Sequence, residues 1–576
     1  MAQQNDGMSR QTGDAGGRLA AASRGTLTRR EVLMRAGALS LSAGSVAALL
    51  AACGGSSIGP TATSVPTGTK TASPQPAGSA VSATSQTASA SASKASGPIR
   101  VGMTGDGKSL DPADWVVINE RHYIPQIFDN LIEINDAYDL APGLATSWDA
   151  SADGLTWTFH LQSGVKFHDG TAFDAAAVKF NLDRTRDPAN AIHHSADLSV
   201  VTSVDVVDPL TVQVVLQQAF TPFLATLTEA VGYMSSPDAI KKYGKEYAVN
   251  PVGTGPFQFV EWVRDSHLTL KRFDGYWRQG LPRASGVVFQ PIPDTAVKLT
   301  VLRTGSIDIV DSIDPKDVAA VSADASLKLY SLKGSVWPML RLNTAVGPFT
   351  NTALRQAVAS AINRDNIVKA VYFGHAEPAY GPIPPLYKSV YDPNIKQSAP
   401  TYDPAQAKQK IVEGGQPNGF SFQLNISNTP DNARMAELIQ SDLTAVGIKM
   451  QINSLESAAF TTALQGKKFD AALGSWTPRA DVDGVMYQHF HSKGLANWVS
   501  YHNPTVDSLL DKTRSTPPGV ARNDLFKQAA QIIAQEVPWV VLVFQELDRA
   551  ARASVAGYAI TPDTLLHLVS VSTGAV

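Results

Sequence analysis

A short polar stretch, residues 474–483, carries the side chains best suited to hold a small charged solute. Trp476 is followed there by Arg479, Asp481 and Asp483. An arginine can hold a carboxylate through two parallel hydrogen bonds, so Arg479 is a candidate for an anionic group of a ligand. Two other interpretations stay open. Arg479 could instead pair with Asp481 or Asp483 and order the loop. Alternatively, the stretch is a solvated surface loop.

Aromatic residues near this stretch in the sequence supply further candidates for ligand contacts. Trp337 precedes a predicted strand that also carries Arg341, and Trp498 and Tyr501 follow the polar stretch closely. Aromatic faces suit the apolar side chains of peptides or the rings of sugars. Each of these aromatic residues is equally well explained as part of a hydrophobic core.

A ligand site in this loop predicts a simple pattern of mutant effects. Arg479→Ala and Asp483→Ala should each weaken ligand binding, and each should leave the melting temperature of the ligand-free protein nearly unchanged. Unaltered affinity in both variants would reject the loop as the pocket.

Motifs for catalysis or for a resident metal are incomplete in this chain. Ser163-Gly164-Val165-Lys166 fits S-x-x-K but lacks the partner motifs of serine acylases, and there is no G-x-S-x-G. Gly253-Thr254-Gly255 lacks the Gly-Lys-Ser/Thr ending of a phosphate loop and precedes a strand. The pairs His193-His194 and His489-x-His491 lie in no recognised metal motif, and we expect them at the surface or in a cleft. The sequence therefore predicts no catalytic residue, no cofactor and no metal ligand.

The N-terminus has the features of an export and anchoring signal. Arg29 and Arg30 precede an apolar run over residues 36–50, which ends in Leu50-Ala51-Ala52-Cys53. That run is shorter than the ~20 residues of a membrane span and fits the apolar region of a signal peptide. The arginine pair resembles a twin-arginine motif, and the segment ending in Cys53 resembles a lipobox, in which the cysteine becomes lipidated. Cys53 is the only cysteine, so an intrachain disulfide is excluded.

The residues after this signal divide into a tail and a large folded body. Residues 54–97 consist mostly of Ser, Ala, Thr, Pro and Gly and contain only two charged residues, which predicts a disordered linker. Residues 98–576 carry 40 basic and 48 acidic residues, because residues 1–97 hold eight and three of the totals of 48 and 51. A net charge of −8 on the body gives no electrostatic reason to bind nucleic acid.

The elements that position the polar stretch alternate between strands and helices. The hydrophobic pattern predicts strands at 420–427, 448–454 and 470–476, with helices at 430–446 and 456–466 between them. Such alternation is typical of an α/β fold, and in such folds ligand-binding loops follow the carboxyl ends of strands.

Residues 140–184 carry a long pattern, LAP.LA.SW....DG.TWTF.L..GVKFHDG..F.A..V.F.L.R. The segments 250–257 (NPVGTGPF), 273–277 (FDGYW) and 302–308 (LRTGSID) extend it along the chain. Together these segments resemble the family 5 extracellular solute-binding proteins of ABC importers, which include oligopeptide-, dipeptide- and nickel-binding members. The resemblance covers nearly all of residues 98–576.

The resemblance implies an α/β fold of two lobes in the class II periplasmic-binding-protein arrangement, with an extra domain in the first lobe and a ligand cleft between the lobes. The implied boundaries, together with those of the leader, are listed here: signal peptide 1–53, linker 54–97, lobe I core 98–140 with 255–335 and 546–576, extra domain 141–254, and lobe II 336–545. Peptide-binding relatives have a pattern resembling W-x-x-D-Y-x-D-P, in which the first aspartate pairs with the amino group of the ligand. Here Arg479 stands in its place, so simple peptide recognition is in question.

We therefore expect a lipid-anchored binding protein, most simply a monomer, on the outer side of the cell membrane. It would capture an oligopeptide or dipeptide and deliver it to an ABC permease with its ATPase. An oligosaccharide, or nickel or a metal chelate, is the alternative ligand within the family. A surface-anchored hydrolase, or a sensory or chaperone-like module with the same cleft, is the alternative of another class.

Overall fold

The computed structural model describes residues 96–135 and 138–574. The predicted signal, with Arg29, Arg30 and Cys53, and nearly all of the predicted linker lie outside the described residues. Among the residues described, no helix has both the length and the apolar character to cross a bilayer.

The strands, numbered in chain order, are β1 Ile99–Met103, β2 Ile132–Ile134, β3 Leu140–Pro142, β4 Ala145–Ala150, β5 Thr156–Leu161, β6 Val201–Asp208, β7 Thr211–Leu216, β8 Phe257–Val263, β9 His267–Arg272, β10 Gly286–Pro291, β11 Ile309–Val310, β12 Leu327–Leu342, β13 Ala376–Pro378, β14 Ser421–Ser427, β15 Lys449–Leu455, β16 Ala471–Trp476, β17 Trp539–Val541, β18 Val543–Arg552, β19 Val555–Ala556 and β20 Ser572–Thr573.

The α-helices among the described residues are α1 Ile118–Ile127, α2 Ala175–Arg186, α3 Phe223–Thr226, α4 Pro237–Tyr243, α5 Thr295–Arg303, α6 Val318–Ser322, α7 Thr352–Ala361, α8 Arg364–Ala370, α9 Pro404–Glu413, α10 Pro430–Thr444, α11 Ser457–Gln465, α12 Asp483–Phe490, α13 Pro504–Ser515 and α14 Val520–Glu536.

One large sheet runs through the molecule, and its two ends define two lobes. Its strand order is β15-β14-β16-β12-β18-β11-β1-β10-β9-β8, with β13 added to β18 and β17 added to β12. We call the part built on β1 and β8–β11 lobe I and the part built on β14–β17 lobe II. The long strands β12 and β18 belong to both parts and join them.

The crossing point of the two long strands is irregular. Leu327–Leu332 of β12 pairs with β18, and the register then shifts before Val336, after which β12 pairs with β16 and β17. Gly334 lies in the irregular stretch with a φ of +67°, a left-handed conformation that glycine adopts without steric penalty. A break in ladder pairing at this point provides a place where the two lobes can bend relative to each other.

Lobe II has the alternating architecture that its hydrophobic pattern predicts. β14 pairs in parallel with β15 and with β16, and β16 pairs antiparallel with β12. The predicted series of strands and helices from 420 to 476 is confirmed, with bounds that differ by at most two residues. Buried aliphatic residues such as Leu340, Leu424 and Ala471 form its core.

A separate four-stranded antiparallel sheet, β4-β5-β7-β6, packs against α2 and falls inside the range predicted for the extra domain. The Asp174 side chain caps α2 by accepting from the backbone N–H of Ala177 at 2.9 Å. Phe159, Phe167 and Val178 are fully buried between this sheet and helix.

The Gly253-Thr254-Gly255 segment is a packing element, as expected from the strand that follows it. A side chain on Gly253 would meet the carbonyl oxygen of Ile127 at 2.2 Å, so only glycine allows this approach to the end of α1. Thr254 donates to the Asp129 carboxylate at 2.9 Å, and Tyr276 donates to its other oxygen at 2.9 Å. The segment therefore fixes the end of α1, which lines the cavity described below.

Candidate functional site

The polar stretch begins in the last residues of β16 and continues through a loop to the first residue of α12. Trp476 is the last residue of β16 and pairs with Trp337 of β12 across the ladder. The loop residues Arg479 and Asp481 follow, and Asp483 is the first residue of α12. The loop therefore leaves the sheet of lobe II at the end of a strand, where the sequence placed it.

Both aspartates of the loop are paired with arginines that come later in the chain. Asp481 accepts two hydrogen bonds from Arg522, both at 2.8 Å. Asp483 accepts from the Nε and an Nη of Arg514 at 2.9 and 2.8 Å. Burial raises the pKa of Asp483, and Arg514 partly opposes this effect. Neither aspartate pairs with Arg479, so the interpretation that Arg479 orders the loop by such a pair is wrong. Instead, Asp481 binds the loop to α14 and Asp483 binds it to α13.

Arg479 extends from lobe II to a carboxylate of lobe I. Its Nη1 lies 3.4 Å from an oxygen of Glu229, and Arg121 of α1 reaches the same oxygen at 3.2 Å. The Tyr387 hydroxyl holds the backbone of Arg479, because it accepts from its N–H at 2.8 Å and donates to its carbonyl oxygen at 2.6 Å. We call Arg121, Glu229 and Arg479 the arginine–glutamate cluster. Its two cations share one carboxylate, so it carries an excess positive charge that suits an anionic group.

A second contact between the lobes lies at the loop before α3. Thr221 donates from its backbone N–H to the Arg514 carbonyl oxygen at 2.8 Å and from its hydroxyl to the Thr516 carbonyl oxygen at 3.0 Å. Arg514 also stacks on Tyr487 and approaches Phe220 of lobe I. The structure thus describes the molecule with its lobes in contact.

The predicted aromatic residues and Arg341 are mostly interior residues of lobe II. Trp337, Arg341 and Tyr501 are 0, 2 and 2 % exposed. Arg341 lies between the rings of Trp498 and Trp539, at 5.5 and 5.4 Å. Burial lowers the pKa of Arg341 to about 10. Direct contact of these residues with a ligand stays a prediction.

Trp476 and Trp498 form an aromatic cluster with His489. The ring centroids of Trp476 and His489 are 4.2 Å apart, and Trp498 lies 5.9 Å from His489. His489 and His491 are 0 and 2 % exposed, so the expectation that they lie at the surface or in a cleft is wrong. The hydroxyl of Tyr501 donates to Glu536 at 2.6 Å.

A cavity of about 320 Å³ lies in lobe I beside the arginine–glutamate cluster. Its volume is within the range of about 300–1,000 Å³ for small-molecule sites. Trp115, Phe128 and Tyr233 give it aromatic walls. Its charged lining residues are Arg121, Asp129, Glu133, Glu229, Arg278, Asp563 and His567.

Four of the charged residues of this cavity form two fixed pairs. Arg278 donates to Glu133 at 2.5 Å, and His567 lies 2.7 Å from Asp563. Burial alone would lower the pKa of His567, but the Asp563 carboxylate outweighs it and raises this pKa. Both signs of charge line one cavity, so it can receive a ligand that carries an ammonium and a carboxylate group.

The residues of this cavity, including Glu229, are not among the site residues predicted from the sequence. They come from segments near positions 121–134, 228–233, 276–278 and 557–570. The spacing of neighbouring residues cannot predict these lining residues, because only the fold brings their distant segments together. Segment 273–277 of the family pattern contains one of the lining residues, Tyr276.

Comparison with known proteins gives a consistent result. Residues 139–497 match the family model of bacterial extracellular solute-binding proteins, family 5. The glutathione-binding protein GsiB of Escherichia coli K12 is 32% identical over 488 residues, which cover 82% of this chain and 94% of that protein. GsiB of Pectobacterium atrosepticum is 31% identical over 468 residues, which cover 79% of this chain and 90% of that protein.

Solved structures confirm the predicted two-lobe fold. The periplasmic binding protein DppA of Helicobacter pylori, in complex with the peptide STSA, is 27% identical, with a TM-score of 0.76 over 83% of this chain and 98% of that one. HbpA2 of Haemophilus parasuis is 25% identical, with a TM-score of 0.72 over 83% of this chain and 100% of that one.

These matches separate the binding-protein class from the hydrolase class that the sequence left open. Proteins of this family are extracytoplasmic, bind small molecules such as peptides and work with an ABC permease and ATPase. The hydrolase alternative is set aside, because the relatives are binding proteins and not enzymes. The chain belongs to the family 5 bacterial extracellular solute-binding proteins of ABC transporters.

Proposed function

We propose that this protein captures a short peptide with a free carboxylate, of the size of glutathione, and delivers it to an ABC permease. The observation that carries this proposal is the arginine–glutamate cluster, in which Arg479 of lobe II and Arg121 of lobe I meet at Glu229. A ligand carboxylate placed there would interact with arginines from both lobes and so favour lobe closure.

The ligand class follows from charge and size. Glutathione has two carboxylates and one ammonium group, and the site offers arginines beside acidic residues in a cavity of about 320 Å³. The GsiB relatives are named for glutathione, and the DppA neighbour holds a four-residue peptide. Arg479 takes the place of the aspartate that binds the peptide amino group in other members, which favours recognition of a carboxylate at this point.

Calorimetric titration of the purified chain tests the ligand class. We expect glutathione or a di- to tetrapeptide with a free C-terminus to bind, and we expect the C-terminal amide of the same peptide to bind about tenfold more weakly or worse, because it loses a charge-assisted pair. A neutral oligosaccharide and Ni²⁺ serve as controls for the alternative ligand classes. Binding of either control without binding of any peptide would contradict the proposal, and mass spectrometry of co-purified solutes would give an independent identification.

We also propose that the protein is exported through its twin arginines and anchored by a lipid on Cys53. Fractionation of cells that express Cys53→Ala is expected to move the folded protein from the membrane to the soluble extracytoplasmic fraction, because the acyl chains are lost. The double variant Arg29→Lys/Arg30→Lys is expected to remain in the cytoplasm. Membrane retention of Cys53→Ala would refute the anchor, and unchanged export of the double variant would indicate the general secretory route.

A further inference from the structure

Three potential metal ligands converge at the junction of the two lobes. One ligand atom each from His375, Glu546 and Asp548 lies within 4.8 Å of the other two. Glu546 and Asp548 are two residues apart on β18, so their side chains point to the same face of the strand. His375 precedes β13 and is fixed to β18, because the N–H of Glu546 donates to its carbonyl oxygen at 3.1 Å.

The buried carboxylate of this group lacks a partner for one oxygen. Asp548 is 3 % exposed, and its Oδ1 accepts from the hydroxyl of Ser331. Its Oδ2 has no hydrogen-bond partner among the described residues. A buried carboxylate oxygen without a donor is unfavourable, so it calls for a proton or a cation.

The other two ligands are accessible from solvent and already face each other. The side chains of His375 and Glu546 are 28 and 14 % exposed, and His375 Nδ1 lies 3.3 Å from Glu546 Oε2. Lys333 approaches Glu546 at 3.6 Å and Glu377 at 3.8 Å, but its side chain is 73 % exposed and can turn into solvent. An ion can therefore reach the group without opening the core.

We propose that His375, Glu546 and Asp548 form a binding site for a divalent transition-metal ion, with Zn²⁺ as the representative ion. One imidazole nitrogen and two carboxylate oxygens are ligands that Zn²⁺ accepts, and water would complete a four-coordinate site. Bonds of about 2.0–2.2 Å to zinc require these atoms to move closer by roughly 1 Å, which side-chain rotation allows.

The position of this site suggests a role for a resident ion rather than a transported one. Asp548 faces Ser331 in the part of β12 that belongs to lobe I, whereas His375 adjoins β13 on the lobe II side of the crossing. A bound ion would join these two sides next to the irregular stretch at Gly334 and stiffen the bend. The site shares no residue with the arginine–glutamate cluster or the cavity, so this proposal is independent of the proposed function.

Titration of ZnCl₂ into the full chain, prepared without a polyhistidine tag and dialysed against EDTA, tests the site. We expect one Zn²⁺ per chain and a higher melting temperature with Zn²⁺ than with EDTA, because the ion binds the folded state. His375→Ala and Asp548→Asn should each weaken Zn²⁺ binding at least about tenfold. Asp548→Asn keeps the acceptor for Ser331, so its fold should be preserved.

His267→Ala is the matched control, because His267 lies 3.2 Å from Glu261 on an exposed strand and belongs to no three-ligand group in the described residues. It should bind Zn²⁺ like the parent protein. Absence of Zn²⁺ binding by the parent, or equal affinity in the parent, His375→Ala and Asp548→Asn, would overturn the proposal. Melting temperatures in EDTA identify any variant that fails to fold. If either His375→Ala or Asp548→Asn fails to fold, the Zn²⁺ affinity of the other variant tests the site.

Discussion

Replacing Asp483 by alanine is expected to lower the free energy of unfolding by about 3 to 5 kcal/mol, since it removes one partner of a buried ion pair. Asp483 is 3 % exposed and holds Arg514 through two hydrogen bonds. The Arg514 side chain is 17 % exposed, which lets water reach the freed guanidinium and places the effect toward about 3 kcal/mol. The structure thus replaces the expectation of an unchanged melting temperature for Asp483→Ala.

Thermal and urea unfolding of the ligand-free protein measure this effect. Asp274→Ala is the matched control, because Asp274 also pairs with an arginine, Arg272, but its side chain is 91 % exposed. Exposed pairs contribute about 0–1 kcal/mol, so this control should unfold almost like the parent protein. Equal melting temperatures for Asp483→Ala and Asp274→Ala would mean that the Asp483–Arg514 pair does not stabilise the loop.

Replacing Arg479 by alanine is expected to weaken ligand affinity by about 10- to 100-fold, with little change in the stability of the ligand-free protein. A hydrogen bond to a charged group contributes about 1.5–3 kcal/mol, which corresponds to this range. The Arg479 side chain is 28 % exposed, and its 3.4 Å contact with Glu229 is long, so losing that contact has little effect on folding. Arg479→Lys keeps the charge but not the two-pronged donor and should fall between the parent and the alanine variant.

Calorimetry with glutathione, or with the tightest peptide of the ligand series, measures this change. Arg272→Ala is the control, because its side chain is similarly exposed, at 30 %, and pairs with a carboxylate outside the cavity and the loop. It should bind the ligand with parental affinity. If Arg479→Ala also retained parental affinity, Arg479 would have no part in recognition.

Local patterns predicted the elements that carry the loop, because strand and helix periodicity is a property of neighbouring residues. The bounds of β14, α10, β15, α11 and β16 agree with that prediction within two residues. The long family pattern correctly implied two lobes, which no local periodicity could provide.

The roles of the charged residues could not be predicted in the same way, because their partners are far apart in sequence. Arg514 and Arg522 lie 31 and 41 residues after the aspartates they bind, and Glu229 lies 250 residues before Arg479. A sequence identifies a charged loop, but only the fold decides which charges neutralise each other and which reach across to the other lobe.

The shared strand β18 has a consequence for how the chain is made. In lobe I, β11 pairs with Ala550 and Ala551 of β18, and Gln126 of α1 bonds with Leu566 and Leu568. The ribosome produces these partners after the strands of lobe II, so lobe I cannot complete its sheet until synthesis has passed lobe II. Lobe II lies in sequence between the early segments of lobe I and these late partners, and it can assemble earlier. The twin-arginine route proposed above accepts folded proteins, which would suit a chain whose first lobe waits for segments that follow the second.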